Sequence, residues 1–378
     1  MWVERLQLTD FRSYAGTTVS AGPEPVVLHG ANGAGKTNLL EALSLLSAGQ
    51  GLRRSPFPEL ARSDGRGDWA VSARVHTLHG ALDIGTGLAP DRGTGRIGRI
   101  VRIDGETQPG SGRLDDYVEM IWLTPAMDGL FTGPASDRRR FLDRLILCFD
   151  PGYRTRIGQF ERAMQQRNRL LADNVFEAAR FEGLERIMAE TGAAIAAARL
   201  EALGQLGAVI AARHSRTPDS PFPWARLALE GTLETALTSE AAVDVEDSYH
   251  RKLAAERERD RAAGRALSGP HRTDLLVEHG PKAAAARVCS TGEQKALLIG
   301  LILAHADLVA QQTGAVPILL LDEIAAHLDP ARRAALFDEI LALRSQAWMT
   351  GTEAEAFAAL RGKALFLEVA DGSARTAS

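Results

Sequence analysis

An α/β fold, a mixed sheet with helices interrupted by an inserted helical, short coiled-coil-like lobe, is predicted for this 378-residue chain. Three observations predict it. An apolar strand run, Val26-Val27-Leu28-His29, leads through a glycine-rich turn into an apolar helical run. A second strand run, Ile318-Leu319-Leu320-Leu321, ends in Asp322-Glu323. Between them lies a long Ala-, Leu-, Arg- and Glu-rich stretch of strong helix composition.

Taken in order, residues 1–29 read as two or three short strands, with Leu6, Leu8 and Phe11 partly alternating. The helical run after the turn, Leu39 to Leu46, is expected to stop at Gly49. Residues 50–115 read as β-rich, through Trp69, Val71, Val75, Ile97, Ile100, Val101 and Ile103, with Asp104-Gly105 as a hairpin turn. Helical composition runs from Tyr153 to about Ala212, breaks at the proline cluster 217–223 and resumes over 238–266. Gly269-Pro270 turns the chain back to short apolar runs. The division expected is an N-terminal half at 1–150, a helical lobe at 151–266 and a C-terminal half at 267–378. Helical arms of this length reach at most ~90 Å at ~1.5 Å per residue.

Composition narrows the class. Apolar residues at 45%, charged residues at 24% and a net charge of −4 are ordinary for a globular protein and exclude a fibrous or disordered one. The sequence shows no run of 18 apolar residues, so no membrane span is expected. The first residues lack the apolar segment of a signal peptide. Two cysteines, Cys148 and Cys289, suit neither a disulfide framework nor a metal site, so a reducing, cytoplasmic location is expected.

Gly30-Ala31-Asn32-Gly33-Ala34-Gly35-Lys36-Thr37 fits the G-x-x-x-x-G-K-[ST] phosphate loop. Glycines let successive N–H groups face phosphate oxygens, and a helix starting near Thr37-Asn38 aims its positive end at the same anion. Lys36 would reach the β- and γ-phosphates, and the Thr37 hydroxyl would ligate Mg²⁺. Asp322 ends a strand that reads as buried and parallel, where ligands sit in such sheets. It would hold Mg²⁺, while Glu323 would polarise the attacking water. The two halves of this site are about 285 residues apart, so a large insertion must separate them.

Charge distribution adds a second expectation. Residues 138–170 hold nine arginines against Asp143, Asp150 and Glu161, a local excess in a mildly acidic chain. Such a face can bind a polyanion, and a merely solvated helix face has the same composition. The candidates for DNA contact are Arg138, Arg139, Arg154, Arg156 and Arg162, then Arg257 with its neighbours Arg251, Lys252, Arg259 and Arg261. No aromatic interleaving of a stacking platform is seen.

Further motifs carry a resemblance. Ser290-Thr291-Gly292-Glu293-Gln294 resembles the signature segment of ABC-type and SMC/Rad50-type ATPases, and His327-Leu328-Asp329 resembles their D-loop. With Phe11-Arg12-Ser13-Tyr14, the 125–143 segment and Ser268-Gly269-Pro270-His271-Arg272, the motifs occur in the order of the RecF family over residues 1–352. That resemblance implies an ABC-type P-loop ATPase head and a cytoplasmic, weak, DNA-stimulated ATPase of recombinational repair. It implies nucleotide contacts from Gly30 to Asn38 and from Arg12, with Ser290 to Gln294 and Asp329 acting across an ATP-dependent head-to-tail homodimer. Slow hydrolysis would release the dimer from duplex, gapped or junction DNA, and RecR and RecO would be partners in loading the recombinase. Three departures stand out: Ala126 where the family usually has Glu, Thr273 for an acid, and Thr350 for the switch histidine of ABC transporters. An ABC transporter nucleotide-binding subunit is the alternative; a small-molecule kinase and an SMC-type tether fit less well. His271 reads as a turn histidine, and Trp122 and Trp348 as core residues.

Overall fold

The computed structural model describes residues 1–88, 98–326 and 328–376; Ile97 and His327 lie outside the described residues. The chain opens with β1 (Trp2–Phe11), β2 (Tyr14–Ser20) and β3 (Val26–His29), then α1 (Lys36–Ser44). Strands β4 (Ala70–Thr77), β5 (Gly80–Leu88), β6 (Arg99–Ile103), β7 (Glu106–Thr107) and β8 (Met120–Leu123) follow. Next come α2 (Ala135–Leu147), α3 (Pro151–Ala172) and α4 (Ala179–Arg216). After them run β9 (Ala225–Glu230), α5 (Thr232–Leu237), α6 (Ala242–Ala255), α7 (Arg257–Ala263), β10 (Asp274–His279) and β11 (Ala284–Ala285). The chain finishes with α8 (Thr291–Thr313), β12 (Ile318–Leu321), α9 (Pro330–Leu343), β13 (Ala347–Gly351), β14 (Leu365–Ala370) and β15 (Ser373–Thr376).

Packing divides the chain into two units. The first comprises residues 1–128, 219–222 and 298–378. It contains an antiparallel sheet in the order β2-β1-β4-β5-β6-β7 and a second sheet in the order β15-β14-β3-β13-β12-β8. In the second sheet β14, β3, β13, β12 and β8 are parallel, and β15 is antiparallel. One core joins Leu6, Leu8 and Phe11 of β1, Leu39, Leu40 and Leu43 of α1, and Ile318, Leu320 and Trp348 of the parallel sheet. All four β12 residues are buried, which is why that strand reads as an unbroken apolar run. Each such side chain contributes about 1.5–3 kcal/mol through burial.

Local chemistry sets the boundaries. The helix α1 ends at Ser44, short of the expected Gly49. There Ser44 Oγ donates back to Glu41 O (2.6 Å) and accepts from the Leu52 N–H (2.8 Å), which turns the chain out of the helix. Leu45 and Leu46 still reach the core, from turns rather than from the helix. The Asp104-Gly105 hairpin is present between β6 and β7. Asp104 has φ 48° and Gly105 φ 84°, both positive as a type I′ turn needs.

The second unit comprises residues 129–218 and 223–297. Asp150 caps α3 by accepting from the Tyr153 N–H (3.1 Å), with Pro151 at the first helical position. Helix α4 has 38 residues. At ~1.5 Å per residue it extends ~57 Å. The lobe is not wholly helical: β9 pairs antiparallel with β10, and β10 with β11. The sequence gives no sign of this small sheet, because β9, Ala225-Arg226-Leu227-Ala228-Leu229-Glu230, lacks β-branched residues. It also draws residues 267–297, the signature segment included, into the helical unit, so the packing boundaries differ from those expected at 150 and 266.

Charged side chains lie inside this unit. Arg167, fully buried, donates to Glu185 (2.9 Å), Asp260 (2.7 Å) and Leu253 O (2.7 Å). Arg199 holds Asp143 (2.9 Å) and lies 3.5 Å from the buried Glu234. Helices α4 and α8 are long and apolar enough to cross a membrane by length and composition. Both find protein partners: α4 buries Phe181, Met188, Ile195 and the paired Arg199, and most of the apolar stretch of α8 is buried.

Candidate nucleotide site

The loop after β3 has the geometry its glycines demand. Gly30 has φ 148° and Gly35 φ 108°, values that side-chain-bearing residues rarely adopt. A Cβ added at Gly30 would come 2.3 Å from Val369 O, and one at Gly35 would come 2.8 Å from both Ser13 Oγ and Tyr14 Oη. Tyr14 donates its hydroxyl to Gly35 O (3.1 Å), and Asn38 donates to Ser13 Oγ (3.0 Å). The 11–14 segment thus braces the loop. Ala31, Asn32 and Gly33 are exposed and Ala34 half-buried at the tip. Lys36 donates to Gly30 O (2.6 Å) and Ala31 O (2.8 Å). Burial holds its ammonium below the usual value, while Glu323 and Asp322 work in the opposite direction.

The carboxylates come from β12. In the parallel register Leu321 lies opposite Leu123 of β8 and Met349 of β13, so Asp322 emerges between those strand ends. The Thr37 hydroxyl donates to Asp322 Oδ1 at 2.9 Å, closing a gap of 285 residues. Thr350 donates to the same oxygen (2.7 Å) and accepts from the Glu323 N–H (2.7 Å). Glu323 has φ 51°. That is an uncommon conformation for a side-chain-bearing residue. A hydroxyl and a carboxylate are hard oxygen donors, so Thr37 and Asp322 fit Mg²⁺ sharing its shell with phosphate and water. No cluster of three or more His, Cys, Asp or Glu occurs among the described residues, so a metal caged wholly by such groups is not supported there.

Arg12 is held by several partners beside the loop. Its Nε and Nη2 donate to the buried Glu41 (both 2.9 Å), Nη2 to Ser55 Oγ (2.6 Å) and Nη1 to Glu59 O (3.0 Å). The guanidinium ties α1 to the 55–59 segment. Tyr14 and Thr350 stand in the motifs without any sign of these contacts, and Glu41 stands in none. An acid within the apolar run from Leu39 to Leu46 is the one sign of Glu41 in the sequence.

Within the second unit, Ser290 precedes α8 in a capping box: its N–H donates to Glu293 Oε2 (3.0 Å), and its Oγ accepts from the Glu293 N–H (3.4 Å). Lys282 lies 2.5 Å from Glu293 and, with the Ser290 bonds, holds that carboxyl down at about 2. Ser290 and Thr291 are exposed and Gly292 is half-buried. Gln294 is buried and donates to Cys289 O (2.8 Å), so it shapes the loop rather than facing outward. In the first unit Asp329 caps α9 through the Arg332 N–H (2.9 Å).

The arginines divide sharply. Arg138 is consumed by Asp274 (2.7 Å) and Gly133 O (2.6 Å), and Arg257 by Glu185 and the Phe181 ring. Arg156 pairs with Asp150, and Arg139 donates to Thr273 O (2.7 Å). Arg167 is wholly internal, so that part of the basic stretch serves the packing of the lobe itself. Arg154 is half-buried, and Arg162 and Arg169 are exposed. Thr273 donates to the buried Glu234 (2.7 Å). An acid there would set two carboxylates together. His271 contacts Ala266 O (3.0 Å) beside Phe160 and is half-buried; desolvation holds it below the usual histidine value. Ala126 is exposed in a one-turn helix after β8, and nothing in the structure explains its departure.

Comparison with known proteins agrees with this architecture. The model of the RecF/RecN/SMC N terminal domain matches residues 2–364. The DNA replication and repair protein RecF of Mesorhizobium japonicum is 54% identical, covering 98% of this chain and 97% of that one. RecF of Brucella suis is 52% identical, covering 98% and 95%. A solved RecF–ATPrS structure from the RecFOR pathway superposes with TM-score 0.87 at 21% identity, covering 100% and 98% of the two chains. A Pyrococcus furiosus Smc head domain gives TM-score 0.55 at 17% identity, over 100% and 96%. Strand order, phosphate loop and whole-length identity converge on one conclusion: the chain belongs to the RecF family, within the proteins that share the RecF/RecN/SMC N-terminal domain.

Proposed function

We propose that this chain is an ATP-dependent DNA-binding protein of replication and recombinational repair. The observation that carries this reading is the 2.9 Å bond between Thr37 and Asp322, which joins the phosphate loop to the carboxylate strand. Whole-length relatives named for DNA replication and repair support it, as does a solved relative described as RecF-ATP in the RecFOR pathway. They do not favour a transporter subunit.

In the proposed mechanism, backbone N–H groups from Gly30 to Thr37 and the N-terminus of α1 receive the phosphates. Lys36 exchanges its two carbonyl acceptors for phosphate oxygens. Thr37 and Asp322 would hold Mg²⁺, which would supply charge neutralisation to the phosphates. Glu323 orients the attacking water at the end of β12. The exposed Ser290, with the N–H groups that open α8, meets the γ-phosphate held by a second copy of the chain. ATP therefore joins two chains head to tail, and hydrolysis removes the bridge. Slow, DNA-stimulated turnover would release the dimer from gapped or junction DNA. Handover to RecR and RecO would follow.

Sedimentation with ATP, with ADP and with ATP plus gapped duplex DNA tests the reading. Dimers are expected only with ATP, and they should persist longest on DNA. The Ser290→Arg variant should bind nucleotide as a monomer. A monomer under all conditions, or an ATP-driven dimer of Ser290→Arg, would overturn the head-to-tail arrangement.

A further inference from the structure

We infer that Thr350 is the positioning residue for the carboxylate pair, fixing the Asp322 side chain and the Glu323 backbone through one hydroxyl. The inference rests on the proposed roles of Asp322 and Glu323. It starts from register: Met349 of β13 lies opposite Leu321 of β12, so the next residues, Thr350 and Asp322, meet at the strand ends. Thr350 is fully buried, and its hydroxyl proton is directed to Asp322 Oδ1 at 2.7 Å. Its oxygen accepts the Glu323 N–H, also at 2.7 Å.

Each bond has a consequence. Glu323 has positive φ (51°). The Thr350 oxygen anchors the amide of that turn and so the direction in which its carboxylate leaves the strand. Asp322 Oδ1 accepts from two hydroxyls, those of Thr37 and Thr350. Release of the Thr37 hydroxyl toward a metal leaves the Thr350 donation in place. Strand β13 also pairs with β3, with Thr350 opposite Leu28 two residues before the phosphate loop, so the same residue ties both halves of the site to one strand.

Substitution of Thr350 by Val, Ser and Ala in the full chain tests this. The readouts are affinity for a fluorescent ATP analogue with EDTA and with Mg²⁺, together with kcat and KM. Thr350→Val keeps the shape and removes the hydroxyl. Affinity in EDTA should stay within about twofold of the parent, the gain on adding Mg²⁺ should shrink about tenfold, and kcat should fall about 10- to 100-fold with little change in KM. Thr350→Ser should restore both to within a few-fold. Parental Mg²⁺ gain and kcat in Thr350→Val would overturn the inference. Should Thr350→Val fail to fold, Thr350→Ala against Thr350→Ser decides: a defect in Ala alone supports the inference, and equal behaviour overturns it. Glu323→Gln separates the two levels. If it hydrolyses ATP at the parental rate, the carboxylate reading itself fails; if it is slow while Thr350→Val is unaffected, only the inference fails.

Discussion

Two polar constellations differ in kind. At the candidate nucleotide site Lys36 and Thr37 open α1 while Asp322 and Glu323 follow β12, each held by few bonds. In the helical unit Arg138, Arg167, Arg199 and Arg257 are also polar and positively charged, yet their donors end on internal carboxylates and carbonyls. Neither the number of charges nor their density along the chain distinguishes the two. Lys36 and Asp322 are buried too, yet groups at helix and strand ends keep spare hydrogen-bonding capacity, whereas the interior of the helical unit tolerates an arginine only when nearly every donor is satisfied.

The largest test of this contrast is chemical. Glu323→Gln should lower turnover about 10²- to 10⁴-fold, the range of a general base, while ATP binding survives and dimers accumulate on DNA. Phosphate release assays with sedimentation measure both. Next, Arg167→Ala should cost about 3–5 kcal/mol, because it removes the arginine partner of buried Asp260 and one of the two arginines on buried Glu185; urea unfolding followed by circular dichroism reads it. An Arg167→Ala protein of parental stability would erase the distinction between scaffold and site. Lys36→Ala should weaken ATP binding about 10- to 100-fold, as expected for about 1.5–3 kcal/mol from a charged hydrogen-bond partner, and should stop ATP-driven association without changing the melting curve. The smallest effect belongs to the surface: Arg162→Glu with Arg169→Glu should flatten the salt dependence of DNA binding by about one unit of log–log slope per lost phosphate contact. An unchanged slope would leave these two as solvated surface.

How much could be read beforehand follows the same line. The phosphate loop, β12 and the Asp104-Gly105 hairpin were legible because each is a local rule written in consecutive residues. The β9–β10 pairing was not, since its partners are 44 or more positions apart and β9 lacks strand-favouring side chains. The partners within the basic stretch were hidden for a related reason. A count of arginines says nothing about the acids that folding sets beside them, such as Asp274 for Arg138 or Glu185 for Arg257. The Thr350 hydroxyl was visible only as the absence of a histidine, and its two bonds exist only once β12 and β13 lie in parallel register.

The sequence alone determined the local devices: a glycine loop that can approach phosphate, an apolar strand that must be buried, and two acids at its end. Those follow from backbone freedom and the exclusion of apolar surface from water, which neighbouring residues settle among themselves. Tertiary structure alone decided which charges are satisfied. Thr37 reaches Asp322 and Arg12 reaches Glu41 because separate segments converge. Hydrogen bonding acts over about 3 Å of space, whatever the distance along the chain.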